Sequence, residues 1–156
     1  MSKSLKRVET ALTAAGARPD IRALSDTTRT AAEAAAAVGC AIDQIAKSII
    51  FRGDDSGQVV LFITAGGNRV DAGAAARVAG EPLGKADAAL IRAETGFAIG
   101  GVAPIGHLKP VRAFFDPRLL DFPLVWAAAG TPHHVFAIDP HLLSRLAGAP
   151  LAAFTG

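Results

Sequence analysis

The sequence predicts an α+β fold over a single domain, residues 1–156, with a mixed, curved sheet and helices around it. Two patterns predict it. Helical and strand-like segments alternate early in the chain, and strand-like segments follow one another in the last third. A strict alternation to the end would instead have argued for a doubly wound parallel sheet. Composition agrees: of 156 residues, 51% are hydrophobic and 19% charged, which gives one domain a real core without a disulfide or metal staple.

The elements follow in order. Ser2 to Ala15 reads as a helix, because Leu5, Val8 and Leu12 recur at helical spacing and Gly16 can stop it. Arg22 to Leu24 is a weak strand or connector. Thr30-Ala31-Ala32-Glu33 has the form of a capping box, with Thr30 as N-cap, and opens a helix over Ala31–Val38 that Gly39 ends. Asp43 to Ile45 reads as one helical turn and Lys47 to Phe51 as a strand. Arg52 to Gly57 is a polar hairpin connection into a second strand, Gln58 to Thr64. Val70–Ala79 and Ala86–Glu94 read as helices. Phe97–Gly100, Arg112–Phe115, Leu124–Ala128 and His134–Ile138 read as strands. Pro140, apt at a first helical position, opens a helix to Leu146.

Composition also excludes. The one cysteine, Cys40, rules out an intrachain disulfide framework and any multi-cysteine metal site; apolar neighbours mark it as a packed thiol. Net charge is +2, which permits an anionic partner without demanding one. The segment after Lys3, Lys6 and Arg7 is not an apolar signal core. The uncharged stretch Phe122–Ile138 holds Pro123, Gly130 and Pro132 and does not read as a membrane span. The expectation is a cytoplasmic protein without a membrane partner.

Three features can carry chemistry. Lys47 is the one charge between Asp43 and Arg52, inside Ile45-Ala46-Lys47-Ser48-Ile49-Ile50-Phe51. Strand alternation puts it on the face of Ile49 and Phe51, where an apolar setting disfavours its charge. Such a lysine is a functional candidate, although an edge-strand lysine that discourages aggregation gives the same pattern. Gly100-Gly101-Val102-Ala103-Pro104-Ile105-Gly106 allows a turn whose N–H groups face an oxygen, as an oxyanion hole or phosphate nest; an ordinary loop reads alike. It is neither a Walker loop nor a dinucleotide fingerprint. Gly130-Thr131-Pro132-His133-His134 holds adjacent histidines, which an extended chain points to opposite faces. They do not share a metal easily, and one of them could serve as a hydrogen-bond donor or acid–base group. Thr30 and Ser48 are nearby hydroxyls whose simplest readings are a helix cap and a strand-face serine. No Gly-x-Ser-x-Gly elbow supports a hydrolase triad.

Taken in order, Thr28-Arg29-Thr30-Ala31-Ala32-Glu33-Ala34-Ala35, the Lys47 segment, the Gly100–Gly106 segment and Ala128-Ala129-Gly130-Thr131-Pro132-His133-His134-Val135-Phe136 resemble the YbaK/ProX superfamily. Those are aminoacyl-tRNA deacylases related to the editing domain of bacterial prolyl-tRNA synthetases. The resemblance spans roughly residues 5–150. It implies a barrel-like curved sheet and hydrolysis of the ester joining a wrong amino acid to the tRNA 3′ adenosine, with no metal, no cofactor and no protein nucleophile. It implies that Lys47 is the essential lysine of the cleft. Gly100 and Gly101, with Pro104 in the same motif, would hold the scissile end of the substrate by the loop backbone. Thr30, Ser48, Gly130, His133 and His134 would shape the amino-acid pocket. The implied partners are the aminoacylated acceptor end of tRNA and an aminoacyl-tRNA synthetase.

That chemistry is consistent with the residues. An aminoacyl ester is already activated, so water and a positioned oxyanion donor can suffice; one lost donor costs about 100- to 1000-fold in rate. Cysteinyl-tRNA-hydrolysing members carry an Asp where this chain reads His133-His134-Val135. A pocket for Ala, Ser or Thr therefore fits as well as one for Cys. The expectation is a free-standing trans-editing hydrolase. Its rival is a tRNA-end or synthetase-binding module without catalysis, against which the pairing of Lys47 with Gly100-Gly101 argues.

Overall fold

A computed structural model describes residues 2–156. The order is α1 (Lys3–Ala14), β1 (Ile21–Ala23), α2 (Ala31–Val38), β2 (Ile45–Gly53), β3 (Val59–Ala65), α3 (Ala72–Ala79), β4 (Leu83–Lys85), α4 (Ala88–Thr95), β5 (Arg112–Phe115), β6 (Val125–Ala128), β7 (His134–Ile138) and α5 (Pro140–Leu146). Short 3-10 turns at Ile42–Gln44 and Pro117–Asp121 precede β2 and β6.

The seven strands form one mixed sheet in the order β1-β7-β6-β2-β3-β5, with β4 added to β2. Its ends, β1 and β5, are not paired with each other, so the curved sheet is α+β as expected and stops short of a closed barrel. The β2–β3 and β6–β7 pairs are antiparallel, whereas β2–β6 and β3–β5 are parallel.

β3 lies between β2 and β5, and every residue of Val59-Val60-Leu61-Phe62-Ile63-Thr64-Ala65 is buried. An apolar run without polar alternation suits a strand covered on both faces. Val59, Leu61 and Ile63 face the main core, with Leu5, Val8 and Leu12 of α1 and with Phe97, Phe115 and Phe136. Val60 and Phe62 face a second core under α3, where Phe62 meets Phe51, Phe114 and Phe154 at ring-centroid distances of 5.8, 5.6 and 4.9 Å. Burying such a ring contributes about 1.5–3 kcal/mol.

Helix starts follow their caps. Thr30 Oγ1 accepts from Glu33 N at 3.1 Å, and Glu33 Oε1 accepts from Thr30 N at 3.1 Å, which completes the capping box. Asp71, Asp87 and Asp139 cap α3, α4 and α5, so α3 and α4 begin two residues later than hydrophobic pattern alone predicts. Phe97–Gly100, expected as a strand, is not one. Phe97 N donates to Thr95 Oγ1 at 3.1 Å, Gly101 N donates to Ala98 O at 3.0 Å, and Gly96 and Gly100 have φ of +83° and +88°. Those local bonds use the donors a strand would have offered.

Candidate functional site

The site begins with a split in the sheet. β3 pairs with β2 from Ala46 to Arg52. On its other edge β2 has two partners: β6 at Ile45 and Ala46, and β4 from Phe51 to Gly53. Between them, Lys47 to Ile50 have no strand partner on that edge among the described residues. Gly53 N donates to Gln58 O on the β3 side at 2.9 Å, and Asp54 N donates to Pro82 O on the β4 side at 2.8 Å. Antiparallel alternation then turns the main-chain groups of Lys47, Ile49 and Phe51 towards β3 and those of Ser48 into the split.

A cavity of about 540 Å³ opens over this split. Its apolar wall comes from Leu24, Ala31, Ala34, Ile45, Trp126 and Val135. Among the described residues, Arg29, Lys47 and Lys85 are the charged ones that line it, and no acidic residue does. Thr30, Lys47, Ser48, Gly100 and His134 of the expected site residues line this cavity. The four others expected, Gly101, Pro104, Gly130 and His133, do not.

Lys47 is half-buried, and its Nζ donates to Gly66 O at 3.2 Å. Burial is the main cause that pushes its pKa below the ordinary lysine value; Arg69 pushes the same way, and Asp43 and Asp116 oppose it. Both carboxylates also fix the turn that holds Gly66. Asp43 Oδ1 accepts from Gly67 N at 2.8 Å, and Asp116 Oδ2 accepts from Ala65 N at 3.0 Å and Asn68 Nδ2 at 2.9 Å. Gly66 is required there, because a Cβ would lie 2.2 Å from Ile42 O.

The two glycine motifs meet. A Cβ on Gly101 would lie 2.8 Å from main-chain atoms of Thr131, so this glycine lets the two loops pack. Gly101 N–H is spent on Ala98 O. The loop is held from behind by α1: Arg7 donates to Gly96 O at 2.7 Å and Gly106 O at 3.0 Å, and its guanidinium lies 4.6 Å over the Phe97 ring. The histidines diverge, His133 in the turn and His134 at the start of β7. His134 Nδ1 lies 2.7 Å from Thr131 Oγ1 on the cavity side, whereas His133 Nε2 lies 3.9 Å from Asp26 Oδ1. Thr30 Oγ1 is engaged in its cap, and it also donates to Glu33 Oε1 at 3.0 Å. Pro104 lines a separate cavity of about 580 Å³ beside Lys109 and Arg145. Ser48 Oγ is buried without a hydrogen-bond partner among the described residues.

This arrangement can be compared with known proteins. Residues 25–146 match the family model described as an aminoacyl-tRNA editing domain. The chain belongs to the aminoacyl-tRNA editing family. A solved structure described as a candidate trans-editing enzyme for prolyl tRNA synthetase is 44% identical, with a TM-score of 0.92 over 100% of this chain and 99% of that one. A second, named hypothetical protein APE2540, is 27% identical, with a TM-score of 0.85 over 96% and 99% of the two chains. The uncharacterized protein YwhH of Bacillus subtilis (strain 168) is 30% identical over 91% of this chain and 90% of its own.

In this editing domain, sequence reasoning missed several residues of the cavity. Trp126 is the chain's one tryptophan, and its ring carries the Arg22 guanidinium at 4.7 Å. Nothing in its spacing signals a pocket wall. Lys85 was hidden because the three-residue β4 has no pattern of its own; Asp116, which fixes the Gly66 turn behind the cavity, was hidden because two of the groups that donate to it, Ala65 N and Asn68 Nδ2, come from a distant segment. Arg29, Thr131 and Pro132 stood inside the motifs already singled out. Among the described residues no three His, Cys, Asp or Glu side chains gather as a metal site, and no helix is long and apolar enough to cross a membrane.

Proposed function

We propose that this editing-family protein is a trans-acting deacylase that hydrolyses tRNA mischarged with a small amino acid: Ala, Ser, Thr or Cys. One observation carries the reading. An apolar cavity sits at a split strand edge, with the Gly100 loop on its wall and three lining cations, Lys47 among them, and no lining acid among the described residues. Cations attract the phosphates of the acceptor end, and a largely apolar wall accepts a small side chain.

The reaction needs no protein nucleophile and no metal. Water adds through its oxygen to the ester carbonyl carbon, and the carbonyl oxygen takes the negative charge. The bond from that carbon to the ribose oxygen then breaks. The ribose oxygen takes one proton and leaves as the tRNA hydroxyl, and the amino acid leaves as its carboxylate with release of the other proton. Lys47 serves as the cation of this site, binding a phosphate or ribose oxygen or orienting the water. The Gly100 loop forms the wall against the scissile end, with Gly101 packing it against Thr131 from outside the cavity.

The test is deacylation of purified tRNAs charged with Ala, Ser, Thr, Cys and Pro, with Lys47→Ala in parallel. Hydrolysis of one or two species that is lost in the variant is the expected result. No hydrolysis by the folded protein would overturn the reading in favour of a binding module for the tRNA end.

A further inference from the structure

We propose that the main chain of Ser48 captures the aminoacyl group as a one-residue strand, so that the cleft accepts a free α-amine and rejects N-acylated esters. The inference rests on the deacylase reading and adds how the ester is held.

The split edge is short. β2 leaves β6 after Ala46 and meets β4 at Phe51. Within that interval Ser48 presents both an N–H and a C=O to the cavity, a donor and an acceptor on one residue. An antiparallel hydrogen-bonded pair joins two residues through both of these groups. An α-aminoacyl ester carries the complementary pair, an ammonium donor and a carbonyl acceptor on either side of one Cα. It fits Ser48 as one residue of an added strand fits a sheet edge. Ser48 C=O then accepts from the α-ammonium, and Ser48 N–H donates to the ester carbonyl oxygen.

That pairing assigns the oxyanion donor. Gly101 N–H is bonded to Ala98 O and does not serve. Ser48 N–H, fixed in a strand whose two neighbours pair with β3, is preorganised for the charge that develops on the carbonyl oxygen. Antiparallel direction also orients the ester. Its ribose side runs towards Lys47 and Ala46, and its amino side runs towards Lys85 and Ala86. An acyl group on the nitrogen would continue that strand into the place where β4 joins β2. Directly opposed residues in a strand pair put their side chains on one face, so the substrate side chain comes beside the unpartnered Ser48 Oγ.

The test uses 3′-amino-3′-deoxyadenosine carrying alanyl, seryl or threonyl groups in amide linkage, which the enzyme does not turn over, and the propionyl amide as the amine-free control. Amide hydrogen exchange and chemical shifts are read by NMR. Binding of an aminoacyl amide is expected to move the Ser48 amide resonance downfield and slow its exchange about tenfold or more, with the Ile49 amide unchanged. The propionyl control is expected to bind about tenfold more weakly, as for a lost charge-assisted hydrogen bond. N-acetylated aminoacyl-tRNA is expected to resist hydrolysis. Tight binding with an unperturbed Ser48 amide, or equal cleavage of acetylated and free-amine esters, would overturn the capture mode and leave the deacylase reading standing. Failure of all three amides to bind, together with no deacylation of any charged tRNA, would overturn both.

Discussion

Lys47 lives under opposed influences: burial and Arg69 disfavour its charge, and Asp43 and Asp116 favour it. The net direction is a lowered pKa, so folding disfavours the ammonium. The cost is fully present at any pH below both the folded and the unfolded value, and it disappears as pH rises above them. Replacing Lys47 with Met removes a half-buried charge and keeps the apolar stem. Lys47→Met is therefore expected to raise Tm at pH 7 while reducing kcat/KM about 100-fold or more, the scale of a lost charge-stabilising group. Where wild-type activity needs the cation, its alkaline limb, after subtraction of uncatalysed ester hydrolysis, falls below the pH of an ordinary lysine. Full activity in the variant would remove Lys47 from the chemistry. Gly101 makes a different argument. Its substitution by Ala drives a Cβ onto main-chain atoms of Thr131, which cannot rotate away. Gly101→Ala is expected to cost about 1–3 kcal/mol by overpacking and to lower turnover as the two loops part. Unchanged kinetics and an unchanged denaturation midpoint would sink that account.

At the scale of elements, the β2–β3 hairpin is pinned by Glu81 from outside. Glu81 Oε1 accepts from Asp55 N at 3.0 Å and Ser56 N at 2.9 Å, and its other oxygen accepts from Arg112. The Ser56 main-chain bond is the largest cause that lowers the Glu81 pKa to about 2, and Arg112 adds to it. A depressed carboxylate stabilises the fold above its unfolded value and loses that contribution as pH falls towards about 2. Glu81→Gln is expected to lower Tm at pH 7 and to flatten the acid-side fall of Tm in this window. Parallel curves for the two proteins would show that Glu81 is not its source. The hairpin was legible in sequence because Val, Ile and Phe crowd around a polar turn. The helix starting at Ala31 was legible because its capping box is local. β4 was not legible: three residues carry no period, and their place is set by pairing with Phe51–Gly53. Phe97–Gly100 misled because Phe and Ile look like a strand, while the glycines on either side make a turn.

Across the whole molecule, the charge around the cavity predicts how affinity responds to salt. For single-stranded acceptor ends, each neutralised phosphate contributes a slope of about −0.7 in log affinity against log salt. Arg29→Ala and Lys85→Ala are each expected to weaken tRNA binding across sequences and to reduce that slope by up to about 0.7. A slope unchanged in both variants would move the phosphate path elsewhere. The site was half legible for a topological reason. Lys47, Ser48, Thr30, Gly100 and His134 lie in local motifs and reach the cavity. Trp126 and Lys85 get there through strand order, which no single segment encodes. Ser48 was visible as a hydroxyl, whereas its main-chain groups became visible once β2 was seen to have two partners on one edge.

The clamp made by Arg7 has a consequence for how activity can change. Helix α1 holds both ends of the glycine loop, yet it lies outside residues 25–146 that define the family match. The lip of the cleft is thus adjusted from a helix that does not line the cavity. Arg7→Leu would keep an apolar cover on Phe97 and release the two carbonyls. The expected signature is a lower kcat with tRNA affinity intact, a loosened jig around unchanged tools. Variation in the first dozen residues is then a dial on turnover, turned without touching any residue that chooses the amino acid.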